Sequence, residues 1–389
     1  MEQKKIYLIL IHHKVSEGSP NGEYEQIVKS VFARMDFLLL RQYSPNDLMK
    51  KLITSCFLGY LALAGCHTSK KAGPMASGNA SAVTTIAFGS CSDQKRQQPL
   101  WDDIVAQKPD VWIWLGDNIY GDSESMDTLK AKYDKQKSNP VYQQLRSQTK
   151  IIGVWDDHDY GVNDGGKEYP KRKESQQLML DFMDVASNSP LRTQEGGYSS
   201  NTYGPKGQRV KVILLDGRYF RDPLKKEGKD NVPDPAGDML GEAQWAWLEK
   251  QLTNSDADVH VIGCGVQFIV DEHPYEKWAN FPTARKRFLD LLGKTKPKGT
   301  MLISGDRHIA EISKVKVSGL AYDLYDITSS GLTHVSKPHE EPNKYRVGEM
   351  IAKLNYGLIT IDWKAKPLKA EVKINGDNAE THLVQEVTF

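Results

Sequence analysis

The chain has 389 residues, 39% of them apolar and 26% charged, with a formal net charge of +1. A chain of this size can bury a core without disulfide staples, as one large domain or two small ones. No basic stripe is present, which argues against a polyanionic partner such as nucleic acid.

Residues 1–48 show no strong helical or strand period. They read as an extension from an upstream start, with translation beginning at Met49. From Met49, two lysines precede the apolar stretch Leu52–Leu63, which ends in Ala64-Gly65-Cys66. A short apolar run behind basic residues and before small ones is the pattern of a secretory signal, and it is too short to span a bilayer comfortably. Leu63-Ala64-Gly65-Cys66 resembles the lipobox of bacterial lipoproteins. The resemblance implies a signal peptide over 49–65, a lipid on Cys66 and a protein tethered to the cell envelope, in the periplasm or at the cell surface. A buried core helix ending in cysteine would share part of this pattern. The Ser-, Lys-, Gly- and Ala-rich tract 66–82 favours the anchor, because it reads as a flexible tether. Cys56 leaves with the signal, so Cys91 and Cys264 remain in the body, able to pair or to serve as metal ligands.

The body, 83–389, is a series of short apolar runs that end in polar clusters. Val83–Phe88 runs into Gly89-Ser90-Cys91, and Val111–Leu115 into Gly116-Asp117-Asn118. Ile151–Trp155 runs into Asp156-Asp157-His158-Asp159, and Val210–Leu215 into Asp216-Gly217-Arg218. Val259–Gly263 runs into Cys264-Gly265, and Met301–Ile303 into Ser304-Gly305-Asp306-Arg307-His308. Val- and Ile-rich runs of this length predict buried strands. Helical patterns lie between them: after Pro99, over 241–253, and over 288–292 with Gly293 as the residue past the helix end. This alternation predicts an α/β fold. In the tail, 358–363 and 369–374 read as closing strands, with Asn375-Gly376 as a type I′ hairpin turn. Residues 161–169 and 221–238 read as surface loops.

In α/β folds, residues just past the strand ends gather at one sheet edge. Several carboxylates brought together there would repel one another and take up protons unless a cation compensates them. The candidate ligands outnumber one coordination sphere, so two metals fit better than one. Such a pair can ionise a water for attack on phosphorus.

Phe88–Cys91, Gly116–Tyr120, Trp155–Asp159, Asp216–Arg221 and Ser304–His308 together resemble the motif series of the PhoD-like alkaline phosphatases. That family lies within the calcineurin-like metallophosphoesterases. The resemblance covers about 81 to 389. It implies an α/β/β/α sandwich with the metal site at the sheet edge, holding Fe3+ beside Ca2+. It places Cys91, Tyr120 and His308 on iron, Asp117 between the ions, and Asp306 and Asn163 as further ligands. The wider superfamily has an Asn immediately before the third-motif His; here Asp157 stands there, so Asn163 takes the Asn role.

His158 is either a general acid for the leaving group or a residue that orients Asp117. Arg218 is either a phosphate clamp or the partner of a neighbouring carboxylate. With Asp157, these are the candidate catalytic residues. His334 either lines the pocket or lies on the surface. The expected activity is hydrolysis of phosphate esters by a metal-bound hydroxide. A phosphodiesterase or phospholipase-type activity on membrane or wall polymers, and a non-catalytic metal-containing surface lipoprotein, are the alternatives.

Overall fold

A computed structural model describes residues 81–337 and 340–389 of the chain. The proposed signal, Cys66 and most of the tether lie outside the described residues.

Three strands open the body: β1 (Thr85–Gly89), β2 (Val111–Leu115) and β3 (Lys150–Val154). They are followed by β4 (Ser199–Tyr203), β5 (Val210–Leu214), the two-residue strands β6 (Lys226–Glu227) and β7 (Asp230–Asn231), and β8 (Val259–Cys264). Then come β9 (Thr300–Ser304), β10 (Ala310–Lys316), β11 (Asp323–Ser329) and β12 (Arg346–Ile351). β13 (Tyr356–Asp362), β14 (Lys369–Asn375) and β15 (Thr381–Thr388) close the chain. The helices, in chain order, are α1 (Leu100–Ala106), α2 (Met126–Lys137), α3 (Pro140–Gln148), α4 (Asp157–Tyr160), α5 (Arg172–Phe182), α6 (Gly241–Leu252) and α7 (Pro282–Thr295).

The strands form two large mixed sheets, ordered β15-β14-β13-β1-β2-β3 and β12-β10-β11-β9-β8-β5-β4. The chemistry-bearing strands pair in parallel within each sheet: β1 with β2 and β2 with β3, then β5 with β8 and β8 with β9. Their carboxyl ends therefore point the same way within each sheet. Alternation along the second sheet builds the layers. Val212, Leu214, Val261 and Ile303 pack in one core with the first sheet. Ile213, Ile262 and Leu302 pack instead with Trp245 and Leu248 of α6 and Phe288 and Leu292 of α7. A register slip of one residue would exchange these two sets, so the double burial fixes the pairing. On the outer face of the first sheet, Trp101 of α1 meets Trp112 and Trp114 edge-on, with ring centroids 5.1 and 5.4 Å apart.

The structure corrects three expectations. The polar clusters come from the ends of two sheets rather than one. Gly293 lies inside α7, which ends with Lys296 in the left-handed conformation. A Cβ on Gly293 would sit 2.2 Å from the Ser318 carbonyl oxygen, so close backbone approach, not helix termination, is what this glycine permits. The link between β14 and β15 is longer than a two-residue hairpin turn, and Asn378 and Ala379 carry the positive φ angles. The 221–238 loop also contains a small antiparallel hairpin, β6–β7.

Candidate metal centre

Four residues that follow strand ends share an uncommon backbone. Cys91, Asp117, Asp306 and His308 have φ of 61°, 48°, 69° and 54°. Left-handed geometry costs a non-glycine residue about 1–2 kcal/mol, and such residues cluster at functional sites. Here the turn swings each side chain off its strand end. The Cys91 carbonyl is fixed by Thr333, whose hydroxyl and backbone N–H both donate to it, at 3.1 and 3.3 Å.

The four converge with Tyr120. The Cys91 thiol and the Tyr120 hydroxyl both donate to Asp117 Oδ2, at 3.5 and 3.4 Å. The Tyr120 hydroxyl lies 2.8 Å from His308 Nε2. Ligand atoms of Cys91, Asp117 and His308 fall within 4.8 Å of one another. The same holds for Asp117, Asp157 and His158, and for Asp156, Asp157 and Asp306. Asp117 and Asp157 are each shared by two groups, which is the arrangement two neighbouring cations require.

Burial, reinforced by the charge of Asp157, raises Asp117 well above the usual carboxylate range and lifts Asp306 to about 7. Burial also raises the Cys91 thiol, and the Asp117 charge adds to it. Burial lowers His308 to about 4, with the neighbouring His334 and His158 charges adding. A cluster of carboxylates that cannot ionise together, beside a neutral imidazole, is a donor set suited to a bound cation. Asp156 makes the same point: its Oδ2 is buried and has no hydrogen-bond partner among the described residues. Thiolate, phenolate and imidazole at one end suit a transition-metal ion, and carboxylates at the other suit an ion that takes oxygen donors.

A residue absent from the predicted ligands organises the centre. Asp159 accepts from the backbone N–H groups of Asp117 and Asp156, at 3.2 and 2.7 Å, and from the Tyr133 hydroxyl at 3.2 Å. It also accepts from Asn118 Nδ2 at 2.5 Å. It thereby ties the end of β2 to the end of β3. Two glycines clear space for Asp156: a Cβ on Gly116 or Gly265 would lie 2.3 or 2.4 Å from it.

His158 hydrogen-bonds Asp122 through Nδ1 at 2.6 Å, and its ring lies 4.3 Å from that of Tyr120. Asn163 lines the same open cleft, of about 520 Å3, as Asp117, Asp157, His158, Asp306 and His308. His334 packs against both Tyr120 and His308, 4.9 and 4.4 Å between ring centroids, so it stands behind these two side chains rather than on the open surface.

For Arg218 the structure takes the second of the two expected roles, partner of a neighbouring carboxylate, over the phosphate clamp. Its side chain is fully buried, with Nε 2.5 Å from Asp156 Oδ1 and Nη1 2.6 Å from Glu276 Oε2. It holds a carboxylate from behind rather than facing the cleft. Glu276, Arg307 and the β6–β7 lysines also border the cleft, and sequence reasoning gave them no role. Only the position of Arg307 between Asp306 and His308 could have signalled one. Cys91 and Cys264 are both buried and unbridged.

Two packed mixed sheets with a carboxylate-rich centre at their strand ends define a metallophosphoesterase-type protein. The sequence profile of the PhoD-like phosphatases matches residues 86–338, and the chain belongs to that family. It is therefore an enzyme of the phosphatase class, and the family supports metal-dependent hydrolysis of phosphoesters. The fold is similar to that of the solved structure of PhoD, at 17% identity and TM-score 0.64, over 80% of this chain and 70% of that one. It is also similar to the purple acid phosphatase PPD1 from yellow lupin seeds, at 11% identity and TM-score 0.56, over 79% of this chain and 54% of that one. GAP50 of Plasmodium, described as an anchor in the inner membrane complex, shares the fold at 12% identity and TM-score 0.53, over 79% of this chain and 89% of that one. No curated protein sequence matches the chain. One fold that includes an anchor leaves function to be argued from the site.

Proposed function

We propose that this chain is a lipid-anchored phosphohydrolase of the bacterial cell envelope, acting outside the cytoplasm with a ferric ion beside calcium. The carrying observation is the shared Asp117: it belongs to the Cys91–His308 group and to the Asp157–His158 group, and no Lys or Arg pairs with it among the described residues. On this reading Cys91, Tyr120 and His308 would hold iron, Asp117 would serve both ions, and Asp306 and Asn163 would hold calcium, which takes oxygen donors. Bound ions of this kind ionise a water near neutral pH and offset the charge of the phosphoryl oxygens.

The chain's own residues do the rest. Asp159 fixes the backbone under Asp117, so the carboxylate is preorganised. Arg218 occupies Asp156 Oδ1 and leaves Oδ2 as the free donor. His158 stands in the cleft with one ring nitrogen committed to Asp122, which fixes its orientation. That places it to pass a proton to the departing alkoxide. The signal-like segment and Cys66 support the envelope location.

The test is hydrolysis of 4-nitrophenyl phosphate and its bis ester by the purified protein, with and without chelator. Turnover that chelator abolishes supports the reading, and the better ester decides between monoesterase and diesterase. No turnover of either ester by metal-loaded protein would instead favour a binding lipoprotein. Ferric ion on phenolate or thiolate gives a visible charge-transfer band, and Cys91→Ala should weaken it. An unchanged band and full activity in that variant would remove Cys91 from the centre.

A further inference from the structure

The wall of the cleft contains a device that hydrolysis alone does not use. The β6–β7 hairpin is fastened on two sides. Lys226 Nζ pairs with Asp164 at 3.2 Å, on the loop that carries Asn163. The Asn231 N–H donates to the Pro274 carbonyl at 3.4 Å, and the Asn231 carbonyl accepts from Asn280 Nδ2 at 3.3 Å. The hairpin thus bridges the Asn163 loop and the 274–280 segment, and it brings Lys226 and Lys229 to the cleft.

Arg307 lines the same cleft and is 7% exposed. Its guanidinium lies 4.0 Å over the Tyr275 ring, and Nη2 donates to Glu341 at 2.6 Å. Its Nε is buried without a hydrogen-bond partner. Lysines on an exposed hairpin are ordinarily solvated surface charge. Arg307 is not: a guanidinium N–H that has lost water and gained no partner is costly unless a ligand supplies the acceptor. Glu276, on the same wall, is committed to Arg218 and Arg221. Lys229 has no carboxylate partner among the described residues.

Resting on the phosphoesterase reading, we propose that Lys226, Lys229 and Arg307 form a second anion subsite, which selects phosphate esters whose alcohol portion carries a further phosphate group. The metal centre that the carboxylate cluster would hold takes the scissile phosphate, and the cationic wall takes the other. Arg307 offers a planar guanidinium at the cleft wall, Lys229 a mobile point charge, and Lys226 a charge shared with Asp164.

Phosphate release is measured for the full chain, metal-loaded, with fructose 1,6-bisphosphate and fructose 6-phosphate as the matched probes. Two scissile groups alone give a ratio of kcat/KM of about two. The subsite raises that ratio to about tenfold at low salt, since an exposed charge contact is worth up to about fivefold. Added salt lowers it by screening. The doubly substituted Lys226→Gln, Lys229→Gln protein keeps its core, because both positions are exposed, and its ratio falls towards about two. Arg307→Lys lowers it in the same direction. A ratio near two in the unaltered protein, or one that the double substitution leaves in place, overturns the subsite. If neither sugar phosphate nor 4-nitrophenyl phosphate is hydrolysed, the phosphatase reading falls instead. Calorimetric binding of the two sugar phosphates then decides the subsite by the same ratio, taken in Kd.

Discussion

Two buried acidic clusters adjoin in this molecule, and the protein treats them in opposite ways. Asp156 and Glu276 meet Arg218 and Arg221, with ion-pair distances of 2.5 to 3.0 Å. Among the described residues Asp117 and Asp306 form no ion pair with a lysine or arginine; Asp117 instead accepts from the Cys91 thiol, the Tyr120 hydroxyl and the His158 backbone N–H. The first cluster is compensated from within, and its arginines fix the floor of the site. The second is left with an electrostatic deficit, which is what a cation-binding centre needs before its ions arrive. A carboxylate oxygen held by an arginine therefore reads as architecture here, and one left without an arginine, Asp156 Oδ2 included, reads as chemistry.

The contrast can be broken at either cluster. Asp117→Asn strikes the uncompensated one: we expect phosphatase turnover to fall about 10^4-fold. The metal-free protein should melt no lower than the unsubstituted one, because a repelling charge has been removed. A variant retaining a tenth of the activity would take Asp117 out of the centre. Arg218→Met strikes the compensated cluster and should cost about 3–5 kcal/mol in urea unfolding, since it leaves Asp156 and Glu276 buried without a partner. If stability is unchanged, the pairing is not structural. Chelation sharpens the comparison without a substitution. Ions present at about a hundred times their Kd should stabilise the fold by about 2.7 kcal/mol, so chelator should lower the melting temperature of the native protein and leave that of Asp117→Asn nearly where it was. Equal shifts in the two proteins would place the ions elsewhere. The smallest effect is at the edge of the uncompensated cluster. Asp122→Asn should lower kcat about tenfold by loosening His158, with KM little changed; a change confined to KM would make Asp122 a substrate contact.

Much of this was legible in the sequence, for local reasons. The runs ending at Leu115 and Ile303 are apolar because both faces of their strands are covered, and buried strands write near-continuous hydrophobic stretches. Asp117 and His308 announce themselves because polar side chains directly after such runs are costly to bury unless they are used. Arg218 was harder. Its partners lie 62 and 58 residues away, and no local pattern separates an arginine that clamps a ligand from one that neutralises a neighbour. Asp159 looked like one more acid in its run, and only its donors from β2 and β3 reveal it as the tie between them. Gly293 misled because a glycine near a helix end and a glycine under a crossing backbone look the same in one dimension.

By itself, then, the sequence determined the α/β alternation, the strand-end positions of the candidate ligands and the membership of the family. These follow from nearest-neighbour facts: which side chains avoid water, and what stands where they stop. Only the tertiary structure decided that two sheets deliver the ligands, which carboxylates receive an arginine, and which lysines reach the cleft. Those outcomes depend on groups far apart in the chain meeting at a few ångströms, and a meeting of that kind is fixed by packing and loop closure rather than by any local run of residues.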